Sequence, residues 1–195
     1  MKTQMSVMLS NHHVHLTEED MKTLYGENYT FSKVKQLGPT NYVTDVTAAV
    51  IGPKGEITGL RVLGPNRRAT QVELLQADLY RLGLQDVPVR ESADPETAAV
   101  VTVRGSAGEV TKRCAIVAQR HVHIGNEITE EYGLTDAASV RLKTAGPRSV
   151  IFENTLVRVG KGAKCVVHLD TEEGNAAGLK NGDLVEILHE TDAQP

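Results

Sequence analysis

Residues 10–20 read SNHHVHLTEED, and residues 118–127 read AQRHVHIGNE. The word His-Val-His stands in both, at 13–15 and again 108 residues later at 121–123. Each copy closes a β-like run and is followed by an acidic helical turn. Strand, His-x-His and short helix are therefore written twice, which predicts two similar halves, neither able to bury everything alone. No Pro/Ser-rich linker separates them, so the halves are expected to pack together. Side chains at i and i+2 of a strand share a face. His13 and His15 can then converge on one metal ion while Val14 points away, and His121 and His123 can do the same around Val122. Neutral imidazole suits Zn, Cu, Fe and Ni. A single His-x-His is a weak signal. Two in matching contexts, together with His168 in VVHLDTEEGN, point to one or two metals. The competing reading, ordinary strand histidines satisfied by hydrogen bonds, stays open on spacing alone.

Working outward, the dominant pattern is short β. Runs at 4–10, 41–52, 55–64, 98–105, 108–124, 138–144, 149–160, 164–170 and 183–190 are rich in Val, Ile and Thr and bounded by Gly, Pro or Asn. GPKGE at 52–56 and GSAGE at 105–109 read as hairpin turns. Many short strands with frequent turns predict a mainly β fold of barrels or a sandwich. Helices are few. TQVELLQADLYRLGL at 70–84 sets Val72, Leu75, Leu79 and Leu82 on one face, with Thr70 and Glu73 as a capping box and Gly83 as a stop. TEEDMKTLYG at 17–26 has the same form, with Thr17 and Asp20 at its start and Gly26 at its end. NEITEEYGL at 126–134 is a shorter version.

The bulk numbers bound the answer. The chain has 195 residues, 40% apolar and 24% charged, enough for a proper core without disulfides. A net charge of −4 and 4% aromatics with no Trp argue against nucleic acid as a partner. No run approaches the length of a membrane span, and the N-terminus is too short and polar for a secretory signal. Cys114 and Cys165 suit a reducing cytosol and sit in apolar strand patterns, as core thiols do. No nucleophile elbow, Walker loop or GxGxxG is present.

A metal site usually takes a carboxylate or water as well. Glu73, Glu127, Asp170, Glu172 and Glu173 are the candidates, with Glu73 contested by its capping role. His12 points to the face opposite His13, and His189 lies near the polar tail. Both read as surface residues. In RVLGPNRRATQVE, residues 61–73, Gly64 and Pro65 end a strand and two arginines precede a helix expected from about residue 70. An arginine beside a helix N-terminus is a good anion receptor, so Arg67 or Arg68 is a phosphate candidate.

SNHHVHL (10–16), GPKGEITGLRVLGPNRRATQVEL (52–74), AQRHVHI (118–124) and VHLDTEEGNAAGLKNGD (167–183) together resemble the phosphate propanoyltransferase family of phosphotransacylases, over about residues 6 to 188. The resemblance implies reversible conversion of a short-chain acyl-CoA, propanoyl-CoA or acetyl-CoA, and phosphate to acyl phosphate and CoA. It implies two small antiparallel β-barrels packed together with a few short helices, residues 2–11 joining 119–190 and residues 12–118 forming the other, with 191–195 a polar tail. It implies two divalent metals, usually assigned as zinc, in a cleft between the barrels. His13, His15 and Glu73 would hold one, and His121, His123 and His168 the other. Arg67 would handle phosphate, and Ser10, Arg61, Leu63 and Asn175 would line the CoA cleft. A homodimer is the family expectation. The family usually has Arg where this chain has His12, and segments 38–47 and 91–105 depart from its pattern. Members of the family destined for bacterial microcompartments often carry an N-terminal amphipathic extension; only about nine residues precede SNHHVH here, so a cytoplasmic enzyme is expected unless it is packaged by another route.

The metals would polarise the thioester carbonyl and receive the CoA sulfur, and phosphate would attack directly. Two rivals remain. A cupin-like metalloenzyme could use His13, His15 and Glu19, although the rest of that motif is missing. A non-catalytic metal-binding β-barrel module would bind zinc without CoA-dependent activity.

Overall fold

The computed structural model describes residues 2–37, 40–91, 97–161 and 165–188. The expectations for His189 and for the 191–195 tail lie outside these residues. In chain order the elements are β1 (Gln4–Ser10), β2 (His13–His15), α1 (Glu18–Tyr25), β3 (Lys33–Gln36), β4 (Tyr42–Ile51), β5 (Glu56–Gly64), β6 (Gln71–Leu74), α2 (Gln76–Leu82), β7 (Val89–Arg90), β8 (Ala99–Arg104), β9 (Glu109–Ala118), β10 (His121–Gly125), α3 (Thr129–Tyr132), β11 (Ser139–Lys143), β12 (Ile151–Gly160), β13 (Val166–Asp170), α4 (Thr171–Ala177) and β14 (Leu184–Leu188).

Two compact units result, Met1–Ser10 with Gln119–Pro195, and Asn11–Ala118. In the first, β1-β13-β10-β12-β11-β14 close into a six-strand barrel. In the second, β8 pairs with both β4 and β9 and so closes the ring β4-β5-β2-β6-β9-β8. Short β3 and β7 are appended at β4 and β9. Closure removes the barrels' free edges. The fold is mainly β with two barrels, as expected, and the pairing is more mixed than "antiparallel" conveys. Each ring contains two parallel pairs, β1–β13 and β10–β12 in one, β2–β5 and β6–β9 in the other.

The two rings repeat one another. The run β5-β2-β6-β9 is parallel, antiparallel, parallel, and so is β12-β10-β13-β1. The predicted hairpin turns are present, closed by Gly52 N–H to Gly55 C=O and Gly105 N–H to Gly108 C=O, both 2.9 Å.

Strand alternation decides which face is core. Val14 pairs with Val62 and Val72, Val122 with Val157 and Val167, and all six are fully buried. They belong to two separate apolar cores, one per barrel.

The helices follow their caps. Thr17 Oγ1 accepts the Asp20 N–H at 3.1 Å and starts α1. The expected return bond from Asp20 is not made. Its carboxylate takes the Thr70 hydroxyl and Lys112 Nζ instead, and Thr70 Oγ1 accepts the Thr17 N–H at 3.1 Å. The helix predicted from residue 70 is a correction: Gln71–Leu74 is strand β6, and α2 begins only at Gln76. Thr70 therefore caps nothing with Glu73. A helix not foreseen, α4, starts at Asp170, whose carboxylate accepts the Glu173 N–H while Glu173 accepts the Asp170 N–H. Gly174 within it packs closely on Leu9: a Cβ there would come within 2.6 Å of a Leu9 methyl, which would have to move.

Truncating Leu60, which is fully buried in the second core, is expected to lower the unfolding free energy by about 2–5 kcal/mol. Val34→Ala, on the exposed β3, should stay within about 0.5 kcal/mol of wild type in the same urea titration.

Candidate active site

The valines of both His-x-His words fill barrel interiors, so the histidines must stand on the outer faces. In-register neighbours across strands share a face. The row Arg61–His13–Glu73 therefore runs across β5, β2 and β6, and the next row is Leu63–His15–Gln71. On the other barrel, Met8–His168–His121–Leu156 form one row, and Val166–His123–Arg158 fall in the next.

Ligand-type atoms of His13, His15 and Glu73 all lie within 4.8 Å of one another, and so do those of His121, His123 and His168. The ring geometries match: His13 and His15 have centroids 5.0 Å apart at 84°, His121 and His123 4.7 Å apart at 83°. His168 stacks on His121 at 4.9 Å and meets His123 edge-on.

A shared backbone device sets the tautomers. His13 Nδ1 is 2.8 Å from the Asn11 carbonyl and His121 Nδ1 is 2.8 Å from the Gln119 carbonyl. A carbonyl only accepts, so each Nδ1 carries the proton. In the neutral ring, Nε2 then keeps its lone pair for a ligand. Glu73 is oriented as well: Gln71 Nε2 donates to Oε1 at 3.2 Å, and Oε2 faces His13 Nε2 at 3.4 Å. Burial alone would push His13 down, but the Glu73 charge and hydrogen bond, with the Asn11 carbonyl, outweigh it and raise the pKa. His15 is pushed down to about 3 by burial, with the His13 and Arg67 charges adding to it. Burial, then His121 and Arg158, push His123 down to about 4.

Each trio fits a divalent cation. Two imidazoles with a carboxylate, or three imidazoles, are donor sets of catalytic zinc sites, which leave a fourth position open. His15 Nδ1 is buried without a hydrogen-bond partner, an arrangement that costs free energy unless something else uses the nitrogen. His13 Nε2 and Glu73 Oε2, 3.4 Å apart, face one another where a cation could be held.

Arg67 lies between β5 and β6, its N–H bonded to the Leu16 carbonyl at 2.8 Å. Its charge reaches both His13 and His15, adding to the depression of His15 and opposing the net rise at His13. The helix-terminus argument for it fails, since a strand follows; its claim rests on its charge acting on His13 and His15. Arg61 is exposed beside His13, and Leu63 lies beside His15. Ser10 ends β1 opposite Asp170, and Asn175 is exposed on α4.

Among the other carboxylates, Asp170 and Glu173 are occupied in capping α4, and neither they, Glu127 nor Glu172 joins a trio among the described residues. His12 is not the surface residue expected: it is half-buried, its Nδ1 2.8 Å from Asp78 Oδ2. Gln71 and Asp78 were not singled out by sequence. Gln71 could have been, as the i−2 neighbour of Glu73, had 71–74 been read as a strand.

The family model for phosphate propanoyltransferase matches residues 6–180. The chain belongs to this family. A phosphate propanoyltransferase of Thermotoga maritima is 42% identical over 185 residues, covering 93% of this chain and 88% of that protein. Those of Rhodopseudomonas palustris and Clostridioides difficile are 38% and 36% identical, covering 94% and 93% of this chain and 82% and 88% of their own. The family member is an enzyme, a phosphate acyltransferase. The non-catalytic module is thereby set aside. So is the cupin-like reading, whose Glu19 lies in helix α1 rather than on a strand. Among the described residues no helix is long and apolar enough to cross a membrane.

The His15 shift has a sign that can be checked in chelator-stripped protein. The unfolded chain protonates His15 near its ordinary 6.5 and the folded chain only near 3. Between those values the unfolded state holds more protons, so stability falls as pH falls, by about 1.4 kcal/mol per pH unit for one proton. His15→Gln should flatten the fall in urea midpoint between about pH 6 and pH 4. An unchanged slope contradicts the assignment.

Proposed function

We propose that the chain reversibly transfers a short acyl group, propanoyl or acetyl, between CoA and inorganic phosphate, with two divalent ions, zinc by donor chemistry. His13, His15 and Glu73 would hold one, and His121, His123 and His168 the other. The observation that carries this is the duplicated trio, with the Arg67 charge acting on His13 and His15 of the first copy. When bound, the ions supply Lewis acidity toward the thioester oxygen and the departing sulfur.

The protein's own groups do the rest. Arg67 has a permanent charge and a planar fork that matches phosphate, and it orients the attacking oxygen. Phosphate is partly dianionic at neutral pH, so it needs no strong base. One phosphate oxygen forms the bond to the acyl carbon. The C–S bond breaks, its electron pair leaves on sulfur, and the CoA thiolate takes a proton from solvent. Arg61 and Leu63, beside His13 and His15, and Ser10 and Asn175, on the unit that carries His168, are the proposed contacts for CoA.

No protein nucleophile is invoked. Burial pushes the Cys114 thiol up to about 12 and raises Cys165 as well, which leaves little thiolate at neutral pH. Transfer therefore proceeds in a ternary complex. Phosphate-dependent release of CoA from acetyl-CoA and propanoyl-CoA, with and without chelator, tests the reading and ranks the two acyl chains. Varying both substrates should give intersecting double-reciprocal lines; parallel lines with a trapped acyl-enzyme sink direct attack.

Arg67→Ala should cost on the order of 100-fold or more in kcat/KM for phosphate while bound metal stays near wild type. His123→Ala should lower metal content instead. A wild-type phosphate dependence in the first variant removes Arg67 from the site.

A further inference from the structure

The duplication extends past the ligands. In one unit His12, directly before the first ligand, bonds through Nδ1 to Asp78 Oδ2 at 2.8 Å. Asp78 lies five residues after Glu73, and the same oxygen accepts the Leu75 N–H at 3.0 Å. In the other unit Arg120, directly before His121, bonds through Nε to Glu173 Oε1 at 2.6 Å. Glu173 lies five residues after His168, and its Oε2 accepts the Asp170 N–H at 3.1 Å. Both carboxylates are the third residue of the helix that next follows the strand of the third ligand. Both side chains are largely buried, 5% and 18% exposed.

The position of these bonds matters. The β2–β6 ladder has three registered pairs, ending at His13 and Glu73. The β10–β13 ladder likewise has three, ending at His121 and His168. In each case the pair that bears two proposed ligands is the terminal pair, where a short ladder opens most easily. The bond from the preceding residue to the helix carboxylate lies directly beyond that end.

We propose that His12–Asp78 and Arg120–Glu173 are matched clasps, each holding the third ligand's strand against its His-x-His strand and so fixing the spacing of one ion's ligands. The proposal rests on the reading of the trios as metal sites. Asp78 and Glu173 are positioning residues, and neither joins a ligand trio. His12 does at one site what Arg120 does at the other.

The test is zinc titration of the chelator-stripped, full-length chain against a chromophoric chelator. Wild type should show two sites. Asp78→Asn should weaken one of them about 10- to 100-fold, the range for orienting partners of metal ligands, and leave the other unchanged. Glu173→Gln should weaken the other. In a Glu73→Gln background, where only the three-histidine site is intact, Glu173→Gln should still weaken zinc and Asp78→Asn should not. His12→Arg should keep wild-type affinity, and His12→Ala with Asp78→Asn should be no worse than the worse single variant.

Equal weakening of both sites by one variant, or none, overturns the clasps. So does a lowered melting temperature of stripped protein with both zinc affinities intact, since that is a purely structural cap. Should Asp78→Asn fail to fold, His12→Ala and Glu173→Gln decide the matter alone. A wild-type chain that binds no zinc removes the metal reading itself and the clasps with it, an outcome distinct from two intact sites that the variants leave untouched.

Discussion

Strand alternation is the constraint on which the rest depends. A barrel interior accepts every second residue, and in both His-Val-His words it accepts the valine. Val14 and Val122 are fully buried among Val62, Val72, Val157 and Val167. Slipping either strand by one residue would drive two imidazoles into a core and expose the valine. Core packing and histidine placement are therefore the same requirement seen from two faces, and the histidines can stay polar because the barrel interior never has to hold them.

The electrostatics follow from that placement. Burial keeps His15 and His123 neutral at pH 7, with pKa values near 3 and 4, so little proton competition opposes a cation. The first trio differs through Glu73, whose charge raises His13 and is countered by Arg67 close by. The first trio thus combines a carboxylate with the opposing charge of a guanidinium. The three-histidine trio contains no carboxylate.

Most strands were legible because Val, Ile and Thr runs end at Gly, Pro or Asn, and both hairpin turns fall where their glycines stand. The failure at 70–74 has a physical origin. Leu75, Leu79 and Leu82 do lie on one face of a helix, but Val72 belongs to the strand before it, and Thr70 with Glu73 imitates a cap. All four residues of β6 are buried, with Gln71 and Glu73 facing the site, so no simple in–out contrast marked it as a strand. Correcting that reading removes the Thr70–Glu73 capping box, because Glu73 lies on strand β6 and α2 begins only at Gln76. Helix α4 was obscured by Gly174, which packs closely on the Leu9 side chain. The pairing of His12 with Asp78 spans 66 residues and had no local signal. The departure at position 12 becomes intelligible only beside Arg120.

Both His-x-His words occur where the chain leaves one barrel for the other. β1 precedes β2 in sequence yet pairs with β13 and β14, and β9 precedes β10 yet pairs with β6 and β8. Between them lie only Asn11-His12 and Gln119-Arg120. These are not passive links. Asn11 and Gln119 supply the carbonyls that set the tautomers of His13 and His121, and His12 and Arg120 supply the donors to Asp78 and Glu173. A crossover of two residues leaves the backbone little freedom, so the first ligand of each trio inherits its orientation from the crossing itself. Only β1 is separated in sequence from the rest of its barrel, since the second unit is the unbroken segment Asn11–Ala118, yet the same two-residue device stands ahead of both His-x-His words.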